Sequence, residues 1–447
     1  MIRSFKMLSE VYFRKEGLVI ALVEKAFLFN ICAFILFSPF SAVFSKISFF
    51  WSVVFWISLN ILQYKSRFYL YLIPNTRLNK SLFIFLTAAF ISVLFSVNLY
   101  HSQEIFFQRY LFYAIFFWIS YDAVSRSRRN IFYFVFSIFV LGLVLGIGGL
   151  VDYFRFYPDR LFTVFSKDLD LFVYLCLLFS FNFIVFLSQV RKSFKVLSLV
   201  NIVLLYPVLV LNASRVVWVS IIPVILVICF LKNKRIFFYS LMIVIATPFF
   251  MPNVQKDRLK TLTPFFMPNV QKDRLKTFLY VFEPVISDKQ YNSFAELKDS
   301  LVERDGSVRE RIVLVQSAIT MVIKKPIFGS GPGMFEILHR LRNKGSRHLH
   351  VHVMCLEILA EMGSVGLLAF FIILFIFFKK FIYHFKSWLA NNSFENAVFF
   401  GAGLAVFVVL LLNLGVSSIL VGFQDALLLW FFMAIVVNEK IFYKNVS

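Results

Sequence analysis

The chain has 447 residues, of which 60% are hydrophobic and only 16% are charged, whereas a soluble domain is nearer half apolar and one quarter charged. The apolar excess falls in runs long enough to cross a bilayer as helices of roughly 20 residues, and the short alternating segments of a membrane β-barrel are not seen. The formal net charge of +22 does not indicate a nucleic-acid partner, because Lys and Arg punctuate the apolar runs and form no basic face on a soluble module.

The apolar runs predict an all-α polytopic membrane protein with about twelve transmembrane helices. In chain order the predicted spans are Ala26–Phe44, Ile47–Gln63, Ser81–Tyr100, Leu111–Val124, Ile131–Val151, Leu171–Val190, Val196–Leu211, Val216–Leu231, Ile236–Phe250, Ser364–Phe378, Ala397–Val416 and Ile419–Val437. They divide the chain into an N-terminal bundle of about nine helices (1–250), one large, mainly helical loop (251–363) and about three C-terminal helices (364–447).

The basic residues in alternate connections predict the orientation, because cytoplasmic loops carry an excess of Lys and Arg. With the N-terminus inside, the cytoplasmic connections hold 23 basic residues and the short outer connections hold six. Both termini are therefore predicted to be cytoplasmic, and residues 251–363 are predicted to form a loop outside the cytoplasm.

The start of this loop contains an exact tandem repeat, because Thr247–Thr261 and Thr263–Thr277 have the same sequence. Two copies are too few for a solenoid, so the repeat is either a tolerated duplication or added cationic surface for lipid headgroups. Further along, Arg309–Lys325 has apolar residues at helical spacing, which predicts an amphipathic helix suited to the membrane surface. Pro326 then ends the helix, and the glycines that follow predict a turn.

Three of the six histidines stand within five residues, at His348, His350 and His352. Imidazole titrates near neutral pH, which suits proton transfer. Alternate histidines also suit a metal, but no carboxylate or cysteine has ligand spacing beside them. A solvated, inert cluster is the simpler alternative; the position just before the chain re-enters the bilayer favours a base for a lipid-borne substrate.

Charged residues near or in the predicted spans are the other candidates. Arg215 joins two apolar runs at the predicted outer face, where it either snorkels to the interface or binds an anion. Arg311 stands beside Arg309 in the predicted loop helix, where a solvated helix face is the alternative. Asp425 lies inside the last apolar run and is either functional or a packing group. Two guanidiniums and an imidazole outside the membrane suit pyrophosphate binding and general-base catalysis, and no nucleotide-binding fingerprint occurs in the sequence.

Three separated segments carry a family resemblance. Asn212–Arg215 precedes an apolar span, Arg311–Gly331 is an Arg-led helix that ends in Pro-x-x-Gly-x-Gly, and His350–Gly366 contains His-x-His with a downstream Glu-x-Gly-x-x-Gly. In order and spacing they resemble the O-antigen ligase and polymerase superfamily of bacterial inner-membrane glycosyltransferases. Two positions depart from the family pattern: Val353 stands where Asn is usual, and Val315 stands where an aromatic residue is common.

The resemblance implies a donor glycan carried on undecaprenyl diphosphate at the periplasmic face, and neither metal nor other cofactor. It implies that Arg215 and Arg311 bind the diphosphate and that His352 deprotonates the acceptor hydroxyl, with inversion at the sugar. The histidines rank His352, His350 and then His348 as the base, since His348 offers a second register for the pair. Besides membrane lipids, the implied partners are this donor and an acceptor, which is a lipid A-core sugar for a ligase and another lipid-linked repeat unit for a polymerase. The further substrate-binding candidates are His350, Arg309, His348 and Asp425.

The ligase is the preferred hypothesis, because the two outer arginines and the paired histidines fit that subgroup, and the polymerase is second. Transfer of glycan to a periplasmic protein would use the same residues. A lipid-linked oligosaccharide transporter or flippase would be a different class. It predicts repeat symmetry between two halves of the chain, which the sequence does not show.

Overall fold

The computed structural model describes residues 2–64, 73–156, 171–211, 215–250, 306–342, 351, 353–413 and 422–438. Within these residues the chain forms fifteen α-helices and no strand. In chain order the helices are α1 (Ile2–Phe37), α2 (Ala42–Tyr64), α3 (Asn79–Leu94), α4 (Leu99–Ile105), α5 (Phe112–Arg126), α6 (Arg128–Phe156), α7 (Leu171–Leu187), α8 (Lys192–Leu211), α9 (Arg215–Lys232), α10 (Lys234–Phe250), α11 (Gly306–Lys324), α12 (Met334–Arg342), α13 (Met354–Ala390), α14 (Phe394–Asn413) and α15 (Phe423–Val436). A π-helical turn, Phe106–Leu111, joins α4 to α5.

The all-helical fold class is confirmed, and a described helix overlaps each of the predicted spans. Six of the described helices are long and apolar enough to cross a bilayer, which supports a multi-pass membrane protein. Those six are Gly17–Phe37, Ala42–Tyr64, Arg128–Arg155, Lys192–Leu211, Met354–Ala390 and Phe394–Leu412. The count of about twelve crossings stays a prediction, because several of the other apolar helices, such as α3 and α7, are shorter than a full span.

The centre of the bundle is built from helices that are apolar on every side. Nearly all side chains of α7 and α15 are buried, and α14 packs between them. A helix without a polar face gains most when it is surrounded by other helices. The described part of the large loop has its own small core, in which α11 and α12 pack against the start of α13.

Consecutive antiparallel helices place alternate connections at the same end of the bundle, and the contacts between connections agree with this. Arg126 donates to Gln63 (2.8 Å), and Lys232 donates to Asn392 (2.5 Å), so four connections predicted to be cytoplasmic meet in pairs at the ends of their helices. At the opposite end of α3, the Val97 amide donates to the Ser330 carbonyl (3.1 Å). The side of the membrane that each end faces stays a prediction.

Candidate active site

A glycine-rich turn, Lys325–Gly333, follows α11 and lies against α13. Gly329, Gly331 and Gly333 have positive φ angles of 71°, 109° and 72°, a region that residues with a Cβ atom rarely adopt. The Ser330 amide donates to the Ala360 carbonyl (3.0 Å), and the Gly331 amide donates to the Glu361 carbonyl (2.8 Å). The turn is therefore joined to α13 by the backbone.

The opposing backbone is a break inside α13. Gly363 has φ 67° and ψ −169°, so the helix is interrupted there. The break frees two amides: Ser364 donates to the Pro326 carbonyl (2.9 Å) and Val365 to the Ile327 carbonyl (3.3 Å). A Cβ atom built on Gly363 would lie 2.2 Å from the Ile327 carbonyl oxygen, a separation that real Cβ atoms do not reach. We call this junction of residues 325–333 with residues 360–365 the turn–break contact.

The turn–break contact explains why two glycine motifs occur in one chain. Pro-x-x-Gly-x-Gly supplies Gly329 and Gly331, and Glu-x-Gly-x-x-Gly supplies Glu361 and Gly363. A Cβ atom on Gly329 would lie 2.3 Å from the Glu361 carbonyl oxygen. Each motif therefore provides the close backbone approach that the other requires.

Glu361 connects this contact to α12. Its side chain is only 4% exposed, and its Oε1 accepts a hydrogen bond from the Phe335 amide (3.2 Å). Phe335 is in the first turn of α12, where amides lack partners within the helix and where the helix dipole favours a carboxylate. Glu361 thereby fixes the direction in which α12 leaves the turn.

A third wall comes from the connection between α3 and α4. The Ser102 hydroxyl donates to the Pro332 carbonyl (2.9 Å), and Lys325 Nζ donates to the Phe95 carbonyl (2.6 Å). The rings of Phe95 and Phe328 stack with their centroids 4.7 Å apart. This wall was not predicted, because no pattern in residues 92–102 indicates a partner more than two hundred positions away.

The predicted active-site residues fall at the edge of this region. Arg309 and Arg311 lie in the first turns of α11, and Arg215 is the first residue of α9; the positions of their side chains are outside the described part of the chain. His348, His350 and His352 also lie outside the described residues. The positions of these groups therefore have to be inferred from the described residues next to them.

Two of those neighbours lie on either side of His352. Val351 is 1% exposed and belongs to the small loop core with Leu314 and Ala318 of α11, and Val353 packs against the same core. Leu314 is one helical turn after Arg311. The backbone next to His352 and the helix that carries Arg311 are thus held together. The helix that begins at Arg215, α9, packs mainly against α7, α10 and α14.

A comparison with known families bears on the class of protein. The family model for O-antigen ligase matches residues 175–371. This match, over less than half of the chain, supports the O-antigen ligase and polymerase superfamily. A comparison with curated proteins found no match.

The part that matches the superfamily includes Arg215, Arg311, His352 and both sides of the turn–break contact. The resemblance that the three motifs predicted is therefore confirmed. The third wall, at residues 95–102, lies outside the matched part, although it contacts the same turn.

His339 is a further loop histidine, and the structure assigns it to the core. Its ring is 1% exposed and stacks on Phe335, and its Nδ1 lies 3.0 Å from the Ser317 hydroxyl oxygen. Burial lowers the pKa of His339 below its usual value, because the charged imidazolium loses its water. This histidine stabilises the packing of α12 on α11 and is not a candidate for the base.

Asp425 lies in the first turn of α15 and is 5% exposed. Tyr113 and Tyr174 are within electrostatic range of its carboxylate. A carboxylate in the first turn of a helix is favoured by the helix dipole, which gives Asp425 a reason to be buried without a substrate. Its role in substrate binding stays a prediction.

Proposed function

We propose that this protein is an O-antigen ligase, which transfers glycan from undecaprenyl diphosphate to a sugar of the lipid A core. The observation that carries the proposal is the burial of Val351 and Leu314 in one small core, because it holds the segment of His352 beside the helix of Arg311. The superfamily match over residues 175–371 supplies the chemical class.

In the proposed reaction, His352 takes the proton of an acceptor hydroxyl as that oxygen attacks the anomeric carbon of the donor sugar. The new carbon–oxygen bond forms opposite the diphosphate, the bond from the sugar to the diphosphate breaks, and the configuration inverts. Arg215 and Arg311 bind the diphosphate with paired hydrogen bonds and neutralise the charge that it gains as it leaves. His350, Arg309 and His348 are proposed to bind substrate around these groups.

The proposal includes a location for the reaction. The protein is proposed to lie in the bacterial inner membrane, with both termini in the cytoplasm and residues 251–363 in the periplasm. The excess of basic residues in the connections on the other side supports this orientation. Cysteine labelling at Arg340, an exposed residue of α12, tests it, because a reagent that cannot cross the inner membrane should modify Arg340→Cys in intact spheroplasts.

The function is tested by lipopolysaccharide gels from a deletion strain. Loss of all O-antigen from lipid A, with polymer retained on the polyprenyl carrier, is expected for a ligase. Cores that bear a single repeat unit would instead identify a polymerase, which is the second candidate because the superfamily match includes both reactions. Accumulation of undecorated carrier intermediates on the cytoplasmic side would identify a flippase and contradict both.

The residue roles are tested by complementation with single variants. His352→Ala is expected to lower transfer by about 10²–10⁴-fold, the usual contribution of a general base. Arg215→Ala and Arg311→Ala are expected to lower it by about 10²–10³-fold. The matched control is Arg340→Ala, because Arg340 is an exposed loop arginine paired with Glu336 within its own helix.

All four variants should insert into the membrane at the level of the parent protein, as an immunoblot of the membrane fraction measures. Wild-type ladders from His352→Ala, Arg215→Ala and Arg311→Ala would remove the proposed mechanism. An equal loss from Arg340→Ala would show that the loop tolerates no arginine change, and the assignment of Arg311 would then fall.

A further inference from the structure

A cavity of about 330 Å³ lies at the other end of the bundle, between the beginnings of α6, α8 and α14. None of the residues that line it is a predicted active-site residue. The side chains that line it are cationic, acidic and aromatic: Arg128, Phe132, Arg191, Phe194, Phe394 and Glu395.

The two arginines of this cavity differ in their partners. Arg128 forms an ion pair with Glu395, whose side chain is only 14% exposed, so that pair contributes little net charge. The guanidinium of Arg191 is exposed and makes no hydrogen bond or ion pair within the described part of the chain. The cavity therefore has one uncompensated positive charge at its rim.

The wall of the cavity is aromatic. The rings of Phe132 and Phe394 stack with their centroids 4.7 Å apart and an angle of 6° between their planes, and the centroid of Phe194 is 5.1 Å from that of Phe394. One turn deeper along α6, on the same face as Phe132, Phe136 is 56% exposed. The apolar wall thus continues from the cavity onto the surface that faces lipid.

We propose that this cavity binds the headgroup phosphate of an anionic glycerophospholipid in the leaflet predicted to be cytoplasmic. Arg191 is the group that contacts the phosphate, since a guanidinium matches the geometry of phosphate oxygens. Basic pockets between transmembrane helices on the cytoplasmic side bind such headgroups. The acyl chains lie over Phe132 and Phe136, where a soluble ion would gain nothing.

A free phosphate ion has the same headgroup chemistry, and the apolar wall distinguishes the two sources. Inorganic phosphate would contact only Arg191, and its binding would not involve the exposed Phe136. A phospholipid would use both, and its binding would depend on the charge of its headgroup.

The test uses the full chain purified in detergent and measures lipid retention by native mass spectrometry. The parent protein is incubated with phosphatidylglycerol, with phosphatidylcholine or with inorganic phosphate. Retention of phosphatidylglycerol over phosphatidylcholine is expected, and Arg191→Ala should reduce it about fivefold, the effect of removing one basic residue near a membrane surface. Arg235→Ala is the matched control, because Arg235 is exposed at the same end of the bundle and does not line the cavity.

Three results would overturn the proposal. The first is equal retention of phosphatidylglycerol and phosphatidylcholine by the parent protein. The second is an Arg191→Ala variant that retains as much phosphatidylglycerol as the parent does. The third is displacement of the lipid by inorganic phosphate at millimolar concentration, which would identify a site for the free ion. Thermal unfolding of both variants in lipid-free detergent shows that a loss of binding is not a loss of folding.

Discussion

The two ends of this molecule are held together in different ways. At the end that carries the candidate site, the turn–break contact joins backbone to backbone, through Ser330 and Gly331 in one direction and through Ser364 and Val365 in the other. At the opposite end, side chains join the helices: the Trp388 indole donates to the Ser188 hydroxyl (2.7 Å), and Lys232 donates to Asn392.

This difference has a physical consequence. The backbone segments around Gly329 and Gly363 lie so close together that no side chain fits between them. The geometry of this contact is therefore fixed, because a larger residue would force the backbone itself to move. A partly exposed side-chain contact, such as that of Lys232 with Asn392, allows other rotamers and water to replace it. The rigid contact occurs where the proposed reaction needs two separate segments at a constant separation.

The largest expected effect is that of Gly363→Ala. The positive φ angle of 67° alone makes this substitution cost about 1–3 kcal/mol of stability, and the new Cβ atom would also meet the Ile327 carbonyl oxygen at 2.2 Å. We expect a lower midpoint of thermal unfolding and loss of glycan transfer, measured by scanning fluorimetry and by lipopolysaccharide gels.

Gly17→Ala is the control for this substitution, because a Cβ atom on Gly17 has no neighbour within 4 Å. That variant should keep the parent's midpoint and its ladder. If Gly363→Ala behaved like Gly17→Ala, the turn–break contact would not be rigid, and the contrast between the two ends would be wrong.

A smaller effect is expected at Glu361. Glu361→Ala leaves the Phe335 amide without its acceptor, and a buried donor without a partner costs about 1–3 kcal/mol. Glu361→Gln keeps an acceptor oxygen and should recover most of that stability. Unfolding midpoints of the two variants measure the difference; equal midpoints would mean that the hydrogen bond at 3.2 Å does not direct α12.

The sequence allowed the helices to be predicted because apolar runs and helical spacing are local signals. The end of α11 at Lys324 and the turn at Pro326 were predicted for the same reason, since proline and glycine act on their own neighbours. The break at Gly363 was not predicted: its cause is the Ile327 carbonyl, 36 positions earlier in the chain.

The candidate site likewise has residues that the sequence indicated and contacts that it did not. Residue types and spacing indicated Arg215, Arg311 and His352, and the superfamily match covers all three. The wall formed by Phe95 and Ser102 gave no signal, because a hydroxyl that donates to the Pro332 carbonyl looks like any other surface serine in the sequence. Contacts between distant segments depend on the fold, which one sequence without its relatives does not encode in a local pattern.

The smallest effect is expected at the end held by side chains. Lys232 is partly exposed, and its Nζ lies 4.2 Å from the centroid of the buried Trp388 ring, an interaction worth about 0.5–1 kcal/mol where the ammonium keeps contact with water. Lys232→Gln should therefore lower the unfolding midpoint only slightly and should leave glycan transfer unchanged, because Trp388 still donates to Ser188. Lys234 is exposed two residues further along, and Lys234→Gln removes an equal charge there. The difference between these variants therefore separates the contacts of Lys232 with the Trp388 ring and with Asn392 from the change in net charge. Lys232→Gln could instead lower the unfolding midpoint as far as Gly363→Ala does. Side-chain contacts would then fix one end of the molecule as firmly as backbone contacts fix the opposite end. The rigidity of the turn–break contact would no longer distinguish the end where glycan transfer is proposed.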